Sequence, residues 1–80
     1  LVANLRAVAT FEGFLARLGA AIAEKRRAAG LTQELAAGRA GIDYKRWQRI
    51  ERGEANITMR TLYRAANALG SSPGELLRNV

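Results

Sequence analysis

The side chains best suited to bind a ligand are basic and amide groups near the middle of the chain. Ammonium, guanidinium and carboxamide groups all donate hydrogen bonds, so they suit a ligand rich in acceptor oxygens. In a helix, these side chains would lie away from the apolar face that carries Trp47 and Ile50. The members of this group are Lys45, Gln48, Arg49 and Arg52.

The charge balance of the whole chain points towards an anionic partner. The 80 residues hold 13 Lys and Arg against seven Asp and Glu, a formal net charge of +6. In a small domain, such an excess points first to a polyanion such as nucleic acid. Solvated arginines on an ordinary surface would give the same composition, so charge alone leaves both interpretations open.

Two missing residue types restrict the possible chemistry. The chain has no cysteine and no histidine, which removes disulfide frameworks, the common zinc ligands and the usual nucleophile and base pairs. No pair among the seven carboxylates is set apart as an acid and a base. We therefore predict that the chain is not an enzyme and has neither a metal site nor a cofactor.

Length and hydrophobic patterning predict one all-α domain. No apolar run approaches the roughly 18 to 20 residues that span a bilayer, and no segment alternates as a strand would. Apolar residues instead recur at helical spacing between glycines and the expected N-terminal caps Thr32, Asp43, Thr58 and Ser72. The expected helices, in chain order, cover about 12–29, 33–39, 44–52, 59–69 and 73–77. In the fourth of them, the expected apolar face comprises Leu62, Tyr63, Ala66 and Leu69.

A short turn joins the second and third predicted helices. Only Ala40, Gly41 and Ile42 separate them, and a glycine in so short a turn lets two helices meet steeply. Other short motifs occur in order along the chain. They are Leu18-Gly19 with Ile22, Lys25-Arg26, Gly30-Leu31-Thr32-Gln33-Glu34, Arg49-Ile50-Glu51-Arg52-Gly53, Asn56, Thr61-Leu62, Ala68-Leu69-Gly70, and Ser72-Pro73 with Glu75-Leu76-Leu77.

With these motifs, residues 18 to 77 resemble the lambda-repressor and Cro type of helix-turn-helix, also called the XRE type. The resemblance implies a compact five-helix lambda-repressor-like bundle that binds double-stranded DNA sequence-specifically. It further implies a transcriptional regulator, most simply a repressor, whose recognition helix (about 43–52) enters the major groove. The base contacts would come from Tyr44, Lys45, Gln48 and Arg49, with Lys45 and Arg49 suited to guanine and Gln48 to adenine.

Other residues are expected to hold the DNA backbone. The resemblance assigns Gln33, at the start of the second helix, to a phosphate. Arg46, Arg52 and Asn56 flank the recognition surface and would add affinity and salt dependence more than specificity. For each of these residues, the alternative is an ordinary solvated side chain.

The same resemblance implies two structural roles. Arg26 and Glu51 match a pair that commonly forms an ion pair between the first helix and the end of the third. Trp47 could be read as a stacking platform, but the family places an aliphatic core residue there, so we predict a core position.

The sequence departs from the family at the second helix. Leu35 and Ala36 stand where the family usually has an acid and a buried leucine. Either this helix is shifted, or the large Trp47 fills the space that Ala36 leaves. We favour the second explanation, which predicts that Leu35 is exposed.

The expected partners follow from the family. A homodimer would bind a palindromic operator with half-sites about one helical turn apart, in the cytoplasm and in association with the nucleoid. The alternative is an antitoxin-like or other protein-interaction module whose DNA binding is secondary.

We divide the chain into an N-terminal extension (1–17) and a helix-turn-helix domain (18–80). The extension has helical spacing, and it would merge into the first helix and pack either on its own core or on a second subunit.

Overall fold

Five α-helices make up the described part of the molecule. The structure is a computed structural model, and it describes residues 10–80. No strand occurs in this range, so the predicted all-α class is confirmed, and each helix end lies within one residue of its predicted position. The helices are α1 (Phe11–Ala28), α2 (Gln33–Ala40), α3 (Tyr44–Glu51), α4 (Met59–Ala68) and α5 (Pro73–Leu76).

A side-chain oxygen caps the start of every described helix. In each case the residue before the helix accepts a hydrogen bond from the backbone N–H three positions later. Four of these caps were predicted from the sequence, whereas the cap of α1 was not. The pairs are Thr10 with Gly13, Thr32 with Leu35, Asp43 with Arg46, Thr58 with Thr61, and Ser72 with Glu75.

The core lies between the helices and is centred on one large side chain. Trp47 is 0% exposed and belongs to the hydrophobic core. The only residues that α2 contributes to this core are Ala36, Ala37 and Ala40. The predicted core position of Trp47 is thus confirmed. Leu35 is 58% exposed, as expected if the indole fills the space next to a small residue at position 36.

The backbones of α1 and α3 approach closely at a glycine. A Cβ atom on Gly19 would lie only 2.5 Å from the carbonyl oxygen of Glu51, at the end of α3. Gly53, with φ +75°, sits against the backbone of Ala16 in the same way. These two glycines therefore set the distance between α1 and α3.

One predicted core residue of α4 was wrong. Tyr63 is exposed, and the buried side chains are Leu62, Ala65, Ala66 and Leu69. Positions 62, 65, 66 and 69 follow the i, i+3, i+4, i+7 pattern of a single helix face. Position 63 is one residue further round the helix, so its aromatic ring faces solvent.

The N-terminal extension is only partly described. The first helix begins at Phe11 and runs without a break past position 17, so residues 11–17 belong to α1. The predicted helix over residues 1–9, and its packing on the core or on a second subunit, lie outside the described residues. None of the helices in the described range is long and apolar enough to cross a membrane.

Candidate nucleic-acid interface

A tight turn connects α2 to α3. Gly41 has φ +68°, a left-handed conformation that a residue without Cβ adopts freely. The N–H of Ile42 donates to the carbonyl of Ala37 at 2.9 Å, which closes the end of α2. Asp43 then caps α3. The turn thus fixes the start of α3 directly after the end of α2, as the helix-turn-helix prediction required.

The exposed face of α3 is polar and mostly basic. Trp47 and Ile50 are buried on the opposite face, and Gln48 is half-buried at the edge between the two. All four residues that we expected to contact bases therefore share one accessible surface, together with two of the expected backbone contacts. This surface consists of the half-buried Gln48 and the exposed side chains of Tyr44, Lys45, Arg46, Arg49 and Arg52.

Two arginines of this face are held loosely by Glu54. Arg52 Nε lies 3.0 Å from the Glu54 carboxylate, and Arg49 Nη2 donates to the Glu54 carbonyl at 3.2 Å. The paired side chains of Arg52 and Glu54 are more than half exposed, so the pair contributes little and exchanges readily for another anion. Within residues 10–80, Lys45 and Arg46 have no ion pair. Their charges are thus available to a ligand.

The two remaining backbone candidates lie apart from this face. Asn56 is exposed in the loop between α3 and α4. Gln33 is half-buried at the start of α2, and its carboxamide Nε2 donates to Glu51 Oε1 at 2.8 Å. One N–H of Gln33 is therefore tied to the last residue of α3.

Glu51 accepts hydrogen bonds from three side chains on three helices. Arg26 of α1 contacts both carboxylate oxygens, with Nε at 2.6 Å from Oε2 and Nη2 at 3.1 Å from Oε1. The indole Nε1 of Trp47 donates to Oε2 at 2.6 Å, and Gln33 of α2 donates to Oε1. Arg26 also donates to the Leu31 carbonyl at 3.0 Å. We call Glu51 and its three donors the Glu51 cluster.

Opposing effects act on the pKa of Glu51. Burial by itself disfavours the charged carboxylate, but the hydrogen bonds from Arg26, Gln33 and Trp47 outweigh it, and the pKa lies below its ordinary value. The hydrogen bond to Glu51 raises the pKa of Arg26 in turn. Glu51 and Arg26 therefore stay charged at neutral pH and bind α1 to the end of α3.

Sequence reasoning paired Arg26 with Glu51 but missed the other two donors. A signal for Trp47 was present, because it lies one helical turn before Glu51 and a buried indole N–H needs an acceptor. No comparable signal exists for Gln33. Its contact depends on how closely α2 approaches the end of α3, which is a property of the packed fold.

Comparisons with known proteins agree with this arrangement. A family model described as helix-turn-helix matches residues 22–76. An uncharacterised helix-turn-helix-type transcriptional regulator of Sinorhizobium fredii is 43% identical over 60 residues, which cover 75% of this chain and 78% of that protein.

Solved structures give the same result. The restriction-modification controller protein from Aeromonas hydrophila is 35% identical with a TM-score of 0.76, over 78% of this chain and 94% of that one. The clp gene regulator from Corynebacterium glutamicum is 26% identical with a TM-score of 0.78, over 81% and 69%. An HTH_3 family transcriptional regulator from Vibrio cholerae is 27% identical with a TM-score of 0.80, over 88% of this chain but only 39% of its own. The chain therefore belongs to the helix-turn-helix family of transcriptional regulators, which are DNA-binding proteins.

Proposed function

We propose that this chain binds double-stranded DNA sequence-specifically, with the exposed face of α3 in the major groove, and that it represses transcription. The observation that carries this proposal is the division of α3 into two faces. One face is anchored in the core by Trp47 and Ile50, whereas the other is polar and basic. A helix fits the major groove, and donor side chains on its outer face can reach base edges there.

Each side chain on this face has a distinct task in the proposal. Lys45 and Arg49 donate to the N7 and O6 acceptors of guanine. Gln48 forms a bidentate pair with adenine, and Tyr44, at the first turn of α3, contacts a base edge beside it. Sequence is thus read by four residues within two turns of one helix.

Four further residues hold the sugar-phosphate backbone in this proposal. Arg46 and Arg52 lie on the exposed surface of α3, Asn56 lies in the loop that follows it, and Gln33 reaches a phosphate from the start of α2. Such contacts release counterions, so binding should weaken steeply as salt rises. They fix the position of α3 along the groove and leave the choice of sequence to the base contacts.

A homodimer on a palindromic operator completes the proposal. One α3 helix spans only a few base pairs, so two copies with half-sites about one helical turn apart provide the length of a specific site. Repression then needs no surface beyond the DNA-binding one, because an operator that overlaps a promoter blocks access to it. A protein of this kind acts in the cytoplasm, on the nucleoid.

A protein-interaction module is the second candidate, and exposed apolar side chains favour it. Leu35, Phe11 and Met59 are each more than half exposed. Phe11 and Met59 also border one apolar groove, and contiguous apolar surface can mark a protein partner. In this version, which includes an antitoxin-like role, the chain would bind a protein first and DNA only secondarily.

Selection from a pool of random duplexes separates the two candidates. The domain is titrated into the pool at low and physiological salt, the retained duplexes are sequenced, and the selection is repeated with Lys45→Ala, Arg49→Ala and the control Arg78→Ala. Arg78 is exposed and follows α5, which packs on α1 and α4. Its removal changes the net charge equally without touching α3.

We expect the unchanged chain to enrich a palindromic site. Lys45→Ala and Arg49→Ala should each weaken binding to that site by about tenfold to a hundredfold and relax one position, because a good base contact contributes about 1–3 kcal/mol of discrimination. Arg78→Ala should keep the sequence preference. No enrichment, or a site that neither α3 variant alters, would refute reading through α3 and favour the protein-interaction module.

A further inference from the structure

The Gln33 carboxamide is held at one of its two N–H groups. A glutamine side-chain amide carries two donors on Nε2. One of them donates to Glu51 Oε1 at 2.8 Å, and the Gln33 side chain makes no second hydrogen bond within residues 10–80. Gln33 is also half-buried, so part of its side chain reaches the surface.

The Glu51 carboxylate is a fully occupied acceptor. An ionised carboxylate offers about four lone-pair positions. Four N–H donors fill them, two from Arg26 and one each from Gln33 and Trp47. The side chain of Glu51 is only 6% exposed. A group that is buried and bonded in this way cannot rotate without losing several contacts, so the atom that holds Gln33 has a fixed position.

We infer that Glu51 is a positioning residue for DNA binding, which holds one N–H of Gln33 so that the other is aimed outwards at a phosphate oxygen. This inference rests on the proposed function and assigns a new role within it. Gln33 lies on α2 and Glu51 at the end of α3, so their hydrogen bond fixes the phosphate contact of one helix relative to the base contacts of the other. Pre-ordering Gln33 also lowers the entropy cost of making the phosphate contact.

The free protein gives the first test, by NMR of its side-chain amides. The held proton of Gln33 should lie downfield of its counterpart in Gln48 and exchange more slowly with water, because it is hydrogen-bonded to a carboxylate. The outward proton should shift when the selected duplex is added. Gln48 serves as an internal reference, because it has no side-chain hydrogen bond within residues 10–80. If the two Gln33 protons matched those of Gln48 in chemical shift and in exchange rate, the inference would be overturned.

A mutant cycle gives the second test. The phosphates of the selected duplex are replaced one at a time by uncharged methylphosphonates, and affinities are measured for wild type, Gln33→Met, Glu51→Gln and the double variant. Methionine matches glutamine in length but has no donor. Gln33→Met should weaken binding by about tenfold to a hundredfold, because it removes a hydrogen bond to a charged group. The loss should vanish at one methylphosphonate position, which identifies the phosphate.

Glu51→Gln should weaken binding to the unmodified duplex, and circular dichroism at low temperature checks that the variant is folded. The loss should disappear with the same methylphosphonate and in the Gln33→Met background, since both remove the contact that Glu51 positions. An equal loss in all backgrounds would mean that Glu51 only stabilises the fold, and would overturn the inference. If Glu51→Gln does not fold, the NMR test decides alone. If no duplex is selected, the proposed function fails and this inference fails with it.

Discussion

Replacing Glu51 with alanine should destabilise the fold by about 3–5 kcal/mol, the usual cost of removing one partner from a buried ion pair. The guanidinium of Arg26, whose side chain is 12% exposed, would lose its counter-charge. The indole N–H of Trp47 and the carboxamide of Gln33 would lose their acceptor as well. Urea unfolding, followed by the fluorescence of the only tryptophan in the chain, measures the loss directly.

Glu54→Ala is the matched control for this prediction. Glu54 also pairs with an arginine, but the side chains of Arg52 and Glu54 are 54% and 56% exposed. Exposed pairs contribute at most about 1 kcal/mol, so this variant should remain close to wild type. Similar losses for Glu51→Ala and Glu54→Ala would contradict the central position of the Glu51 cluster.

The same carboxylate should make stability depend on acid pH. The pKa of Glu51 in the folded chain lies below its ordinary value of 4.5, so the folded state binds this proton less readily than the unfolded state. The stabilisation is therefore complete above 4.5 and is lost as the pH falls from there through the folded pKa. Glu51→Gln should lack this part of the pH dependence. If wild type and Glu51→Gln lost stability identically as the pH falls, Glu51 would not be the source of this pH dependence.

Gly19→Ala is the second substitution with a large expected effect. The added Cβ would meet the carbonyl carbon of Glu51 at 2.8 Å as well as its oxygen, and both are backbone atoms that cannot rotate away. Overpacking of this kind should cost about 3 kcal/mol, which exceeds the roughly 1 kcal/mol that alanine gains as a helix former. Thermal and urea unfolding should both show the loss.

Gly38→Ala provides the opposite expectation at the same type of substitution. Gly38 lies inside α2, and a Cβ there would meet nothing within 4 Å. Only the helix preference remains, so stability should rise by about 0.5–1 kcal/mol. If Gly19→Ala were as well tolerated as Gly38→Ala, α1 and α3 would not be in the close contact described here.

Local signals in the sequence were sufficient to predict the helices and the positions of their ends. Thr32, Asp43, Thr58 and Ser72 were each predicted as caps, and each accepts the expected backbone hydrogen bond. Capping and the left-handed glycine of a turn such as Gly41 depend on a few neighbouring residues, so a single sequence reveals them. The exposure of Leu35 was also predicted, from the acid that the family usually has at this position and from the large Trp47 filling the space beside Ala36.

Contacts between helices were harder to predict. The hydrogen bond from Gln33 to Glu51 joins residues 18 positions apart, and it exists only because α2 packs against the end of α3. The prediction that Tyr63 faces the core failed for a different reason, since a hydrophobic ring on an amphipathic helix was assumed to be buried. Its position in the helical repeat, which decides this, was given too little weight.

The most direct test of reading through α3 replaces single guanines in the selected duplex with 7-deazaguanine, which lacks the N7 acceptor in the major groove. Affinities are measured for wild type, Lys45→Ala and Arg49→Ala. We predict that one such replacement costs wild type about tenfold, the size of a lost base contact, and costs the variant that lacks the matching donor almost nothing. Equal losses in all three proteins, or losses only when inosine removes the minor-groove amino group, would contradict major-groove reading by α3.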